Sequence, residues 1–302
     1  MARQTTGYLH MWSVDPNELE HSTSFLMTLR NPVDRIISAY RYSHPNNCNR
    51  KNKKKPDRPF GCEIAKKMRQ RRSKQYKMFG ICFPSAGIED FAQSVMSPYY
   101  ADSVSLKNIS NKKNQANTKV VAGLATCRQM ARDVIEGTLD VWVYHMKYNH
   151  AYYANKTIWA YPDKELFAIR TEHEWEDMVA LDKQLGGTGR FGPTTESSSH
   201  HNTKTSQNAA VSHGSEGYIP SPISTQGYHK LCCVLHEEIQ IYMDLLQRAQ
   251  NLNATAKQES ISDLADKCNF TTSNWNEWRQ QCQSKLNHDA ENFHSNAALS
   301  TA

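Results

Sequence analysis

Ser24-Phe25-Leu26-Met27-Thr28-Leu29-Arg30-Asn31-Pro32-Val33-Asp34-Arg35-Ile36-Ile37-Ser38-Ala39-Tyr40 changes its period once, at Arg30. The residues up to Arg30 are apolar, few and end at a turn signal, so they read as a strand. Asn31-Pro32 then opens a helix, because asparagine is a good N-cap and proline suits the first helical position. Val33, Ile36, Ile37 and Tyr40 form its buried stripe. Strand, tight turn and helix together make a setting in which phosphates bind at a helix N-terminus. Arg30 stands where open sheets place their ligands, at the C-terminal end of a strand. Ser38 lies about two turns into the helix, on the side that can face back toward Arg30. A guanidinium and a hydroxyl converging there suit a phosphate monoester. The competing reading is an ordinary surface arginine and serine on a strand–helix unit.

Outward from this unit, residues 7–12 (GYLHMW) read as a further short strand, and Glu165 to Arg170 (ELFAIR) as another. The fold class expected is α/β, with a mainly parallel sheet including residues 7–12, 24–30 and 165–170 and helices flanking it. Residues 116–136 have apolar positions at helical spacing, from Val120 to Ile135. Glu174 to Leu185 reads as a helix that stops at Gly186-Gly187. Tyr228 to Leu252 reads as one helix with Leu231, Leu235, Ile239, Tyr242, Leu246 and Ala249 on a single face. Residues 188–227 are rich in Ser, Thr, His, Asn and Gly and read as a flexible loop. Thirteen Lys or Arg fall between Arg50 and Lys77, against only Asp57 and Glu63. Residues 44–77 therefore read as a basic surface insertion, either solvated or in contact with an anionic polysaccharide. The chain divides into a domain over 1–270 and a polar tail over 271–302, with Trp275 and Trp278 as anchors.

The 302 residues carry 36 Lys or Arg, 30 Asp or Glu, and a net charge of +6. A basic chain favours anionic partners without choosing among them. The mean hydropathy of −0.72 is low for a globular chain and agrees with long polar loops. No stretch approaches the roughly 18 apolar residues of a membrane span, and the first residues do not read as a signal peptide. The 8 cysteines form no CxxC pair, so zinc is not expected. Cys82 and Cys127 flank a segment that would otherwise be a long connection. A bridge between them would remove loop entropy from the unfolded state. Asn108, Asn155, Asn253 and Asn269 each open an N-x-S/T sequon. With an even cysteine count these favour an oxidising lumen, a cytoplasmic location being the alternative.

RNPVDRIISAY (Arg30 to Tyr40) resembles the R-x-P-x-x-R-x-x-S-x-Y element of sulfotransferases. FAIRTEHEWEDM (Phe167 to Met178), LHEEIQIYMDLLQRAQNL (Leu235 to Leu252) and YHMKYNHAYY (Tyr144 to Tyr153) resemble segments of carbohydrate-type sulfotransferase-like proteins of algae and fungi. The resemblance implies a P-loop-like sulfotransferase fold, N-terminally incomplete in this chain. It implies transfer of a sulfuryl group from 3′-phosphoadenosine 5′-phosphosulfate to a hydroxyl of a glycan or similar acceptor. Arg30 and Ser38 would hold the 3′-phosphate, and Arg35 would support the turn or a neighbouring carboxylate. Pro32 and Tyr40 would shape the helix. Such an enzyme would work in the Golgi lumen, membrane-anchored in a full-length form, the anchor not being in this chain. No metal and no nucleic acid enter the expected chemistry.

The family holds the 5′-phosphosulfate with a Gly-, Ser/Thr- and Lys-containing loop whose amides and lysine neutralise the leaving phosphate. The 29 residues before Arg30 contain no such loop. The expectation is a truncated sequence with weak or no transfer, or a non-catalytic module that binds anionic glycan or nucleotide. His10 is the candidate base, 20 residues before Arg30, unless it is simply a strand-end histidine. Glu18 and Glu20 are the fallback carboxylates. Arg170 and Glu172 would meet the donor or acceptor from their strand end, or else tie the turn to the sheet. A kinase relative is disfavoured because GxxxxGK[ST] is absent. Gly187 to Gly192 matches GxGxxG after a helix rather than a strand, the wrong context for a dinucleotide. His200, His201 and His213 sit in Ser/Asn-rich sequence without orienting carboxylates and read as solvated.

Overall fold

The computed structural model describes residues 16–43, 73–83, 88–96, 124–139, 148–190 and 223–299. β1 (Ser24–Leu29) runs parallel to β2 (Glu165–Arg170), with Phe25 opposite Leu166 and Leu29 opposite Arg170. In β1, Phe25, Met27 and Leu29 are buried while Leu26 is 61% exposed. β2 is buried without a break from Leu166 to Arg170, as a parallel strand covered on both faces must be. Its far edge is closed by Gln250 and Asn251. Gln250 N–H donates to Leu166 O at 2.8 Å. The Asn251 amide accepts from Ala168 N–H at 2.8 Å and donates to Ala168 O at 2.7 Å. A side-chain amide thus satisfies the ladder where a third strand would stand.

Among the described residues the sheet has only these two strands, and the expected strand at 7–12 lies outside them. The architecture is mostly helical around a small parallel sheet, so the α/β class holds in its coarse form. The helix α1 (Pro16–Glu20) precedes β1, and α2 (Pro32–Ser43) follows it. Val33, Ile36, Ile37 and Tyr40 are all buried, as the stripe requires. Tyr40 packs on Phe79 of α3 (Ser73–Cys82) at 5.9 Å and on Phe91 of α4 (Glu89–Ser94) at 5.6 Å between ring centroids. The last part of the expected insertion, Ser73 to Lys77, is therefore helix; its earlier residues lie outside the described ones. α5 (Leu124–Ile135) is joined to α3 by the Cys82–Cys127 bridge, with Cα atoms 5.3 Å apart. The expected start of this helix, residues 116–123, lies outside the described residues.

α6 (His150–Lys156) is capped by Asn149, whose Oδ1 accepts from Tyr152 N–H at 2.9 Å. After β2, one 3-10 turn at Thr171–His173 leads into α7 (Glu174–Gln184). Gly186 ends it at φ +85°, a conformation costly for any residue with a Cβ. α8 (Thr225–Val234) starts inside what the sequence reads as loop, because Ser224 caps it: Ser224 Oγ accepts from Gly227 N–H at 2.9 Å. The expected single helix over 228–252 is two, α8 and α9 (His236–Arg248), broken at Leu235 with φ −100° and ψ 12°. The break keeps the phase, so Leu231, Leu235, Ile239, Tyr242, Leu246 and Ala249 are still all buried. α10 (Ala254–Cys268) and α11 (Trp275–Leu299) complete the chain. The expected polar tail is anchored helix at its start. Trp275 is buried beside Phe270 at 4.8 Å, and Cys233–Cys282 ties α11 to α8. Cys232–Cys268 ties α8 to α10. No described helix is long and apolar enough to cross a membrane.

Candidate anion-binding site

The two parallel strands end side by side, and their C-terminal ends carry the residues singled out in the sequence. Asn31 begins α2 as expected. Its Oδ1 accepts from Val33 N–H at 2.9 Å and from Asp34 N–H at 3.5 Å. Pro32 has no N–H, so this cap uses the first-turn donors that a phosphate would otherwise take. What remains at the helix start is side-chain chemistry. Asn31 Nδ2 is buried near the Tyr228 hydroxyl without a well-formed hydrogen bond. The half-buried Arg30 guanidinium makes no side-chain hydrogen bond or ion pair among the described residues. Burial lowers its pKa, and the nearby Asp34 and Glu172 carboxylates oppose that shift. The group stays a cation throughout, as arginine does in proteins. Ser38 is partly buried, and its hydroxyl has no partner among the described residues. It stands seven residues after Asn31, hence on nearly the same helix face and about 10 Å further along.

Arg35 has a different role, the supporting one expected of it. Its Nη2 donates to Glu238 Oε1 and Oε2 of α9 at 2.7 and 2.6 Å. His150 of α6 approaches the same carboxylate, with Nδ1 at 3.2 Å and its N–H donating at 3.4 Å. Burial pushes the Glu238 carboxyl up, but Arg35 and the His150 contacts outweigh this and hold it at about 2. The cluster locks α2, α6 and α9 together. Beside it, Asp34 accepts from Tyr228 Oη at 3.1 Å and from Lys267 Nζ at 3.1 Å. Burial pushes the Tyr228 hydroxyl well above its ordinary value, and Asp34 adds to this. Burial pulls the Lys267 ammonium down, but Asp34 and Asp263 raise it overall.

Of the two readings of Arg170, a contact to donor or acceptor and a tie between turn and sheet, the contacts within the protein are those of the tie. Arg170 is 3% exposed and its donors are taken. Nε reaches Asp177 Oδ2 at 2.9 Å and Nη2 reaches Asp177 Oδ1 at 2.7 Å. Nη1 donates to Ala256 O at 2.9 Å and Ser260 Oγ at 3.1 Å. The arginine ties the turn to the sheet and to α10. Glu172 remains exposed at the strand end, near Arg30, with Tyr242 Oη 3.4 Å from its Oε1. His10 lies outside the described residues. Glu20 is exposed at the wrong end of β1: Lys164, before β2, donates to Leu19 O and Glu20 O. Six strand residues, roughly 17 Å, separate that end from Arg30.

Sequence reasoning missed Glu238, His150, Tyr228 and Lys267 as neighbours of the motif, and Asp34 within it as the partner of the last two. Glu238 and His150 did carry a signal, since both lie in segments quoted for the resemblance. The pairing of Glu238 with Arg35 spans 203 residues and that of Glu238 with His150 spans 88, so neither has a local signature. No family model, curated protein or solved structure matches the chain. Among the described residues no group of three or more His, Cys, Asp or Glu side chains is arranged for a metal ion.

Proposed function

We propose that the chain binds the adenosine 3′,5′-bisphosphate half of a sulfate donor and belongs to a sulfotransferase of P-loop-like fold. The observation that carries the reading is the set of unused donors at the start of α2. Among the described residues Arg30, Asn31 Nδ2 and Ser38 have no hydrogen-bond partner, while Nη2 of the neighbouring Arg35 is held by Glu238 and the Arg170 guanidinium by Asp177. A buried amide donor left unpaired costs about 1–3 kcal/mol, and a phosphate oxygen would remove that cost. The donor set therefore fits a 3′-phosphate, with Arg30 supplying charge, and Ser38 and Asn31 supplying direction. The Arg35–Glu238–His150 cluster supports the reading too, because it joins three of the segments on which the resemblance rests.

In the proposed reaction the oxygen of an acceptor hydroxyl, on a glycan or similar molecule, attacks sulfur. The bond from sulfur to the 5′-phosphate oxygen breaks, the bisphosphate leaves, and the hydroxyl proton passes to a base, for which His10 is proposed. Glu172 faces the acceptor side. A Golgi lumen location follows from this reading. The second reading is binding without transfer, favoured by the absence of a Gly- and Lys-containing phosphate loop from these 302 residues. Calorimetric titration with adenosine 3′,5′-bisphosphate tests the shared step. Binding is expected, with at least tenfold loss in Arg30→Ala and weaker binding of adenosine 5′-monophosphate, which lacks the 3′-phosphate. Equal affinity of the variant and the native chain would overturn the assignment.

A further inference from the structure

Six cysteines lie among the described residues, and all six are paired, in Cys82–Cys127, Cys232–Cys268 and Cys233–Cys282. Such pairing persists in an oxidising compartment and not against cytosolic thiols. Three of the sequon asparagines also lie among the described residues, and all three are exposed. They share a second property. None has its Nδ2 engaged by the protein. Asn155 and Asn269 make no side-chain hydrogen bond among the described residues. Asn253 uses only its oxygen, with Oδ1 accepting from Ala256 N–H at 2.8 Å to cap α10. The two buried asparagines among the described residues differ from these in access. Asn251 spends its Nδ2 on Ala168 O, Asn31 Nδ2 is enclosed, and neither residue opens a sequon.

We infer that Asn155, Asn253 and Asn269 are acceptors for N-linked glycans and that the chain folds in the lumen of the secretory pathway. The co-reactant is a polyprenyl-diphosphate-linked oligosaccharide. Asparagine Nδ2 attacks C1 of its first sugar. The N–C1 bond forms, the C1–O bond to the diphosphate breaks, the polyprenyl diphosphate leaves, and one amide proton passes to a base of the transferring enzyme. The amide oxygen is unchanged, so the Asn253 cap survives the modification. Asn269 offers the best-built site. It sits just after α10 at φ +59°, and it lines an open cleft of about 240 Å³ with His229, Asn274, Glu277, Trp278 and Gln281. The first sugar lies over that cleft, with polar groups for its hydroxyls and an indole for its ring face.

The inference is independent of the nucleotide reading and can fail without it. The full chain is isolated from its own cells, alkylated before reduction, and treated with peptide N-glycosidase in heavy-oxygen water. Each occupied asparagine then becomes an aspartate carrying the heavy isotope, read by peptide mass spectrometry. Label at two or more of the three positions, with all three cysteine pairs protected from alkylation, is the expected result. Label at one or none, or alkylation of any of the six cysteines, overturns the inference.

Discussion

Arg30 and Arg170 end adjacent parallel strands, and their surroundings are opposite. Arg170 is enclosed, with Asp177, Ala256 and Ser260 around its guanidinium. Arg30, one residue past the partner strand, is half buried, with the Asp34 and Glu172 carboxylates nearby but no ion pair to either among the described residues. From the sequence both are basic residues at strand ends. The difference lies in what the following helix brings back. After β2 the turn returns Asp177 from α7 to the strand it left, seven residues on. After β1 the cap is Asn31, which serves the backbone and leaves the arginine alone. One arginine is a structural rivet and the other is proposed as a donor to ligand, and that contrast can be tested by removing each partner in turn.

The largest effect is expected from Asp177→Ala. It leaves the Arg170 charge buried and uncompensated, a situation that typically costs 3–5 kcal/mol. Urea unfolding followed by circular dichroism should report a loss in about that range. A loss under about 1 kcal/mol would mean that Arg170 finds other partners and that the contrast with Arg30 is weaker than drawn.

Acid should release the Glu238 cluster that locks α2, α6 and α9 together. Glu238 has a folded pKa of about 2, below the ordinary carboxylate value. A depressed pKa means that its contribution is fully present above about pH 4.5 and is lost as pH falls toward 2. The contribution is on the order of 3 kcal/mol, from about two and a half units at 1.36 kcal/mol each. The unfolding free energy of the native chain should drop across that window. Glu238→Gln should lose its stability at neutral pH instead and run flatter below pH 4.5. Parallel curves for the two proteins would remove Glu238 from the account.

Asn251→Ala sharpens the same comparison at the sheet. Its amide makes two buried hydrogen bonds with Ala168, and their loss leaves a backbone donor and acceptor unpaired. About 1–3 kcal/mol of destabilisation is expected in the same unfolding experiment. Asn251→Asp, which keeps one acceptor and loses the donor, should fall between.

The local parts of this fold were legible. Both strands, the Asn31 cap, the Tyr40 stripe and the Cys82–Cys127 bridge follow from period, propensity and loop closure, which act over short spans or depend on few residues. The helix break at Leu235 was not legible, since no glycine or proline marks it and the apolar phase runs through it. The neighbouring Cys232 and Cys233 are both bridged, to α10 and to α11, and composition alone does not reveal that constraint. Trp275 and Trp278 were seen as anchors, yet the helix they begin was read as tail because its other residues are polar. At the site, Arg30 and Ser38 were visible as a motif, and Arg35 was given its supporting role. Glu238, which gives Arg35 that role, lies 203 residues away, and only the folded chain joins them. Arg170 was left between a ligand contact and a tie of the turn to the sheet, because a strand-end arginine is ambiguous until its helix partner is known.

The smallest effect on stability is expected at Arg30, and it carries the most information. Arg30→Ala breaks no hydrogen bond or ion pair among the described residues, so the change in unfolding free energy should stay within about 0.5 kcal/mol. Ligand should then separate the two proteins. Adenosine 3′,5′-bisphosphate at a hundred times its dissociation constant stabilises a binding-competent fold by about 2.7 kcal/mol. The native chain should gain roughly that amount in the thermal unfolding transition. Arg30→Ala at the same ligand concentration should gain clearly less, since a tenfold affinity loss removes about 1.4 kcal/mol of binding free energy. Arg30→Lys keeps the charge but not the forked donor geometry, and it should recover part of the shift. If Arg30→Ala is instead as destabilising as Asp177→Ala, then Arg30 is a second rivet, and the donor set at the start of α2 loses its charge.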